Sequence, residues 1–160
     1  MLVPFEKLPD SARVWVYQAN RKFTDEEVNE LRSELENFVQ EWTVHGADLS
    51  GSFDIRYNRF IVLGVDENFA ATSGCSIDSS VHFIQHLQEK FDVDLLDKMN
   101  VTFRQGEYIA HKELKDFGKM VKDRAVSPDT IVFNNLVNTK GELEEHWEVP
   151  LKESWHKRFL

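Results

Sequence analysis

The only thiol of the chain, Cys75, stands in a run of small residues, Thr72-Ser73-Gly74-Cys75-Ser76-Ile77-Asp78, just ahead of a predicted helix. Unpaired backbone N–H groups and the positive end of a helix dipole favour thiolate over thiol at such a place, which is how many nucleophilic and redox cysteines are activated. Cys75 is therefore the candidate catalytic residue of a cysteine-dependent enzyme, with Ser76 and the helix-start N–H groups as oxyanion donors and His82 as the nearest base. No CxxC partner accompanies it, the carboxylate of Asp78 would raise the thiol pKa, and a buried inert cysteine is a common alternative. Without any chemistry the same loop could hold a small anion, because Gly74 lets a ligand approach the backbone and Ser73 and Ser76 add hydroxyl donors. Helix capping alone also accounts for those serines.

A second basic constellation is Arg56 and Arg59, which flank a predicted hairpin turn near Asp54. Two guanidiniums there could bind an acid, or form the weak surface ion pairs usual at strand ends. The candidate ligand-binding set is thus Ser73, Gly74, Ser76, Asp78, Arg56 and Arg59. Asp78, His82 and His86 repeat every four residues, but at about 100° per residue they fall away from the apolar stripe and point to solvent, so no metal site is expected. Gly46 and Gly51 have the interval of a phosphate loop, yet Ser52 stands where the lysine must be and a strand follows. Gly118-Lys119 lies inside a predicted helix. The remaining histidines, His45, His111, His146 and His156, are scattered, and no serine sits in a nucleophile elbow. No cofactor is expected.

Composition narrows the classes. With 160 residues, 28 acidic against 19 basic side chains and a formal charge of −9, the surface repels phosphate backbones, and nucleic acid is not an expected partner. One cysteine excludes an internal disulfide and suits a reducing compartment. The first residues carry neither a basic n-region nor an apolar h-region, and no apolar run approaches 18 residues. The expectation is a soluble, cytoplasmic protein without a membrane span.

These residues are positioned by elements legible in the pattern. Arg13–Ala19 reads as a central strand, apolar on both faces. Thr24 and Glu27 form a capping box that opens a helix with Val28, Leu31, Leu35, Phe38, Val39 and Trp42 inward, ended by His45-Gly46. Phe53–Tyr57 and Phe60–Val65 form a hairpin. A second helix runs from about Ile77 to Phe91, started by Ser76 and burying Ile77, Val81, Ile84, Gln88 and Phe91. Met99–Phe103 and Tyr108–Ala110 are strands joined at Gln105-Gly106-Glu107. Next come a helix with Leu114, Phe117, Met120 and Val121 inward, a strand Thr130–Phe133 and a helix capped by Thr139 and Glu142. The order is that of an α+β, ferredoxin-like βαββαβ sandwich with an additional C-terminal strand and helices. With no linker-like segment, residues 1–160 are expected to be one domain.

Leu151, Trp155 and Phe159, four apart, form a C-terminal stripe that either docks on its own domain or anchors a homodimer or protein partner.

Val14-Trp15-Val16-Tyr17-Gln18-Ala19-Asn20-Arg21, Arg56-Tyr57-Asn58-Arg59-Phe60, Ser73-Gly74-Cys75-Ser76-Ile77-Asp78 and Val132-Phe133-Asn134-Asn135-Leu136 resemble a group of uncharacterised bacterial proteins of this length, chiefly from Bacteroidetes, that often carry the label "ABC transporter ATPase". Of the motifs that label implies, only Val62-Leu63-Gly64-Val65-Asp66-Glu67 resembles a Walker B strand; the phosphate loop and signature motif are missing. The resemblance brings no catalytic residue with it. A non-enzymatic binding or regulatory module is the leading expectation, with the Cys75 enzyme and an anion-binding loop as alternatives.

Overall fold

Thr24 opens the first helix as a reciprocal cap: its Oγ1 accepts the Glu27 N–H at 3.1 Å, and Glu27 Oε1 accepts the Thr24 N–H at 3.0 Å. Two of the donors that a helix start leaves unpaired are thereby satisfied. The computed structural model describes residues 1–44, 49–67 and 74–160, without the side chains of Val44 and Cys75. Among the described residues the chain forms seven strands and four α-helices. They divide into two compact units, Met1–Leu96 with Asn138–Gly141, and Asp97–Val137 with Glu142–Leu160.

In the first unit, β1 (Arg13–Gln18), β2 (Ser50–Arg56) and β3 (Phe60–Asp66) form an antiparallel sheet in the order β1-β3-β2. The unbroken apolar run belongs to the middle strand: Phe60, Ile61, Val62, Leu63 and Val65 are all buried, which requires cover on both faces. On one face Ile61 and Leu63, with Trp15, Tyr17, Phe53 and Ile55 beside them, pack under α1 (Asp25–Val44) and α2 (Gly74–Phe91). α1 comes so close to β2 that a Cβ on Gly51 would lie 2.5 Å from Thr43 Cγ2, so this glycine is a packing requirement and not part of a phosphate loop.

Two expectations change here. β1 is an edge strand, not a central one; beyond it the Val14 N–H reaches the Asn138 carbonyl at 2.9 Å and Arg13 bridges to Thr139. The same returning segment is fastened by Lys140, whose Nζ donates to the carbonyls of Glu6 at 3.2 Å and Leu8 at 2.7 Å. The second helix begins at Gly74, so Ser76 lies within its first turn and the first turn holds no acidic residue. Its buried stripe is Ser80, Ile84, Leu87 and Phe91, while Asp78, His82 and His86 are exposed. Gln88 belongs near the interior for a polar reason, since its Oε1 accepts the N–H groups of Leu95 and Leu96 at 2.8 and 3.0 Å.

The second unit contains β4 (Asn100–Gln105), β5 (Tyr108–Glu113), β6 (Ile131–Phe133) and β7 (Glu148–Pro150), antiparallel in the order β5-β4-β6-β7. Gly106, at φ 61°, makes the two-residue turn between β4 and β5. The fold is therefore α+β with two antiparallel sheets: β4, expected as the last strand of a ferredoxin-like sheet, pairs instead with β5 and β6. α3 (Leu114–Lys122) lays Phe117 into a core of Val101, Phe103, Val126, Val132, Val149 and Leu151. α4 (Lys140–His146) follows Thr139, as its capping pattern predicts. The C-terminal stripe packs onto its own unit. Two 3₁₀ turns, Leu151–Glu153 and Trp155–Phe159, bury Leu151 completely and pack Trp155 and Phe159 against this core. Leu151 is thereby closed to any partner, whereas Trp155 and Phe159 keep part of their surface exposed. Among the described residues no helix is long and apolar enough to cross a membrane.

Candidate functional site

The β2–β3 hairpin turns through Tyr57 and Asn58, at φ 55° and 51°, and the Arg59 N–H closes the turn on the Arg56 carbonyl at 3.1 Å. Two consecutive left-handed residues inside a closed four-residue turn are the type I′ geometry that suits the strand twist. Asparagine tolerates that conformation; a bulky tyrosine is strained in it. The turn docks on the segment before α1, where the Asn58 carbonyl accepts the Phe23 N–H at 2.7 Å and the Arg59 carbonyl accepts the Ala19 N–H at 2.9 Å.

Three arginines gather at this end of the unit, and two are fully employed. Arg21 holds Glu27 with two N–H···O bonds of 2.8 Å and also donates to the carbonyl of Phe91, the last residue of α2, at 2.6 Å. A cation on the negative end of one helix is thus tied to a carboxylate in the first turn of another. Arg21 and the Thr24 backbone hold the Glu27 carboxyl down to about 2. Arg56 is paired through Nε with Asp54 Oδ2 at 2.9 Å and lies over the Phe5 ring at 5.6 Å.

Arg59 differs. Its side chain is half-buried, and Nη1 is the one buried side-chain nitrogen or oxygen among the described residues that has no hydrogen-bond partner. Burial alone shifts its pKa, downward, with no carboxylate close enough to oppose it. A guanidinium stays charged at any ordinary pH, so this is a cation that the fold has partly dehydrated without supplying a counter-charge.

The other predicted site residues lie elsewhere. Ser73 and the Cys75 thiol fall outside the described residues. Gly74 opens α2 and has open space where a side chain would project. The Ser76 carbonyl accepts the Trp42 Nε1–H at 2.9 Å, and Asp78 and His82 are exposed. Phe91 ends α2 at the hairpin, packed edge-on against Phe23 at 5.8 Å. Because 18 helical residues span about 27 Å, the start of α2 lies at the far end of the unit. Arg56 and Arg59 therefore do not share a site with Gly74, Ser76 and Asp78.

One pairing had no sequence signal beyond proximity. Ser154 and His156 are buried together, hydrogen-bonded at 2.6 Å between Oγ and Nδ1, with the imidazole stacked on Trp155 at 3.8 Å and edge-on to Phe117 at 6.1 Å. Burial, then the nearby Arg158, depresses the imidazole pKa to about 4. The pair is sealed within the core of its own unit. Among the described residues no group of three or more His, Cys, Asp or Glu side chains is placed to hold a metal ion. Glu67, at the end of the Walker B-like strand, faces Arg13 at 3.7 Å. Set against known proteins, the chain matches no family model, no curated protein and no solved structure.

Proposed function

We propose that this protein is a non-enzymatic binding module that recognises an anionic group through Arg59. One observation carries the reading: Nη1 of Arg59 is buried with no acceptor, beside two arginines at the same end of the unit that are paired. An unpaired buried donor on a cation destabilises the fold, and such features persist where function requires them. They also favour binding. Part of the dehydration of the cation has occurred on folding, so an arriving anion gains the attraction at a lower desolvation cost than in a surface ion pair.

The test is thermal unfolding against a panel of chloride, sulfate, phosphate, acetate and benzoate at constant ionic strength, for the wild type and Arg59→Met. At least one anion should raise the wild-type midpoint in a saturable way, and the rise should vanish in the variant. Stabilisation that survives in Arg59→Met, or none by any anion in the wild type, would remove the basis of the proposal.

A further inference from the structure

Resting on that assignment of Arg59, we infer that the anion it receives is a carboxylate and not a phosphate or sulfate. The donors around the turn decide this. A phosphate, with three or more acceptor oxygens and close to two charges, needs several converging N–H groups, commonly the free start of a helix. The nearest helix start, that of α1, is partly taken and acidic: the Thr24 and Glu27 N–H groups are occupied by the reciprocal cap, and the first turn carries Asp25, Glu26 and Glu27. Asp25 also reaches the turn, its Oδ1 3.5 Å from Asn58 Nδ2.

Charge counting agrees. Arg21 is paired with Glu27 and Arg56 with Asp54, which leaves Arg59 as the arginine of the three with no carboxylate partner. A monoanion balances it. A dianion would leave surplus negative charge at a turn whose Asn58 already faces Asp25, on a chain already at −9. Geometry points the same way: with Nη1 buried, the edge of the guanidinium left to a ligand is that of Nε and Nη2, and its two parallel N–H groups match the two oxygens of a carboxylate. A free organic acid and a Glu or Asp side chain of a peptide present the same group.

The deciding experiment is titration of the intact protein, by calorimetry and thermal unfolding at pH 7.5 and fixed ionic strength, with acetate, benzoate, sulfate and phosphate. A blocked Ala-Ala-Glu-Ala-Ala peptide and its Gln counterpart form a further arm. Acetate or benzoate, or the Glu peptide but not the Gln peptide, should bind and stabilise, and sulfate and phosphate should do no more than chloride. Response to the free acids identifies a small-molecule source; response to the Glu peptide alone identifies a protein-borne one. Arg59→Lys, which keeps the charge and loses the fork, should bind the responding carboxylate at least about tenfold more weakly. Sulfate or phosphate binding as well as the carboxylates, and lost in Arg59→Met, overturns the carboxylate assignment while the anion-binding reading stands. Equal carboxylate affinity in Arg59→Lys also overturns it, and silence from every probe overturns both.

Discussion

The C-terminal turn buries a basic side chain and the β2–β3 hairpin half-buries one, and they handle the charge in different ways. His156 is 1 % exposed, and its surroundings suit the neutral ring: a hydroxyl at 2.6 Å, a stacked indole and an edge-on phenyl. An imidazole can give up its proton, and with a pKa near 4 it does so here. Arg59 has no such escape, because a guanidinium remains charged when buried. The difference is the basis on which Arg59, and not His156, is proposed as the recognition residue. A base that can be neutralised becomes part of the packing, and one that cannot keeps its demand for an anion.

The largest expected effect breaks the comparison if it fails. Between pH about 6.5 and about 4 the unfolded chain takes up a proton at His156 that the folded chain refuses. Stability therefore falls as pH is lowered through that window and levels off below it, by up to roughly 3 kcal/mol. Urea unfolding at a series of pH values should show this slope, and His156→Gln should flatten it. An NMR titration of His156 with a midpoint near 6.5 would mean that its charge is tolerated and the contrast with Arg59 is lost.

The next effects come from two of the three arginines at the hairpin end, and their signs should be opposite. Arg21→Ala removes the two hydrogen bonds to Glu27 and the tie to the end of α2, costing about 1–2 kcal/mol. It should also shrink the acid limb of the stability curve. The Glu27 pKa is lowered in the fold, so its contribution is present above the ordinary carboxylate range and is lost as pH falls towards about 2. Arg59→Met, in a buffer poor in carboxylates, should instead raise stability by about 1 kcal/mol, since it deletes an unsatisfied buried donor and keeps the stem's packing. Urea midpoints of both variants check this, and a loss of stability in Arg59→Met would make Arg59 a structural residue.

Much of the scaffold around this site is legible in the sequence. The Thr24 and Glu27 pair announces the start of α1, and the alternation of Phe53, Ile55 and Tyr57 followed by Phe60–Val65 announces the hairpin, because both signals are local. Other features depend on residues far apart. β7 is only Glu148–Pro150, too short for any period, and nothing in its composition says that β6 will pair with it. The two units lack a linker between them because the chain re-enters the first at Asn138–Gly141, which also explains why β1 reads as central although it lies at an edge. Arg56 and Arg59 look equivalent in sequence. A signal separating them exists: Asp54 and Arg56, two apart on one strand, share a face, whereas Arg59 lies past the turn. That Nη1 of Arg59 is sealed follows from tertiary packing and has no trace in the sequence.

The smallest effect concerns the turn that carries Arg59. Tyr57 is held at φ 55° with its side chain 44 % exposed, a conformation that costs a β-carbon-bearing residue about 1 kcal/mol and costs asparagine less. Tyr57→Asn should therefore stabilise the isolated protein by about 0.5 kcal/mol, the remainder being offset by loss of the edge-on contact with Phe60 at 6.4 Å. Its effect on binding sharpens the contrast between packing and recognition. If the strained tyrosine serves only the turn, carboxylate affinity in Tyr57→Asn will equal that of the wild type, and Arg59 alone carries recognition. If instead the exposed ring lies along the body of the bound acid, the same variant will be more stable and yet bind benzoate more weakly than acetate, relative to the wild type. A turn that surrenders stability at two positions, Tyr57 and Arg59, would then be doing so for one ligand.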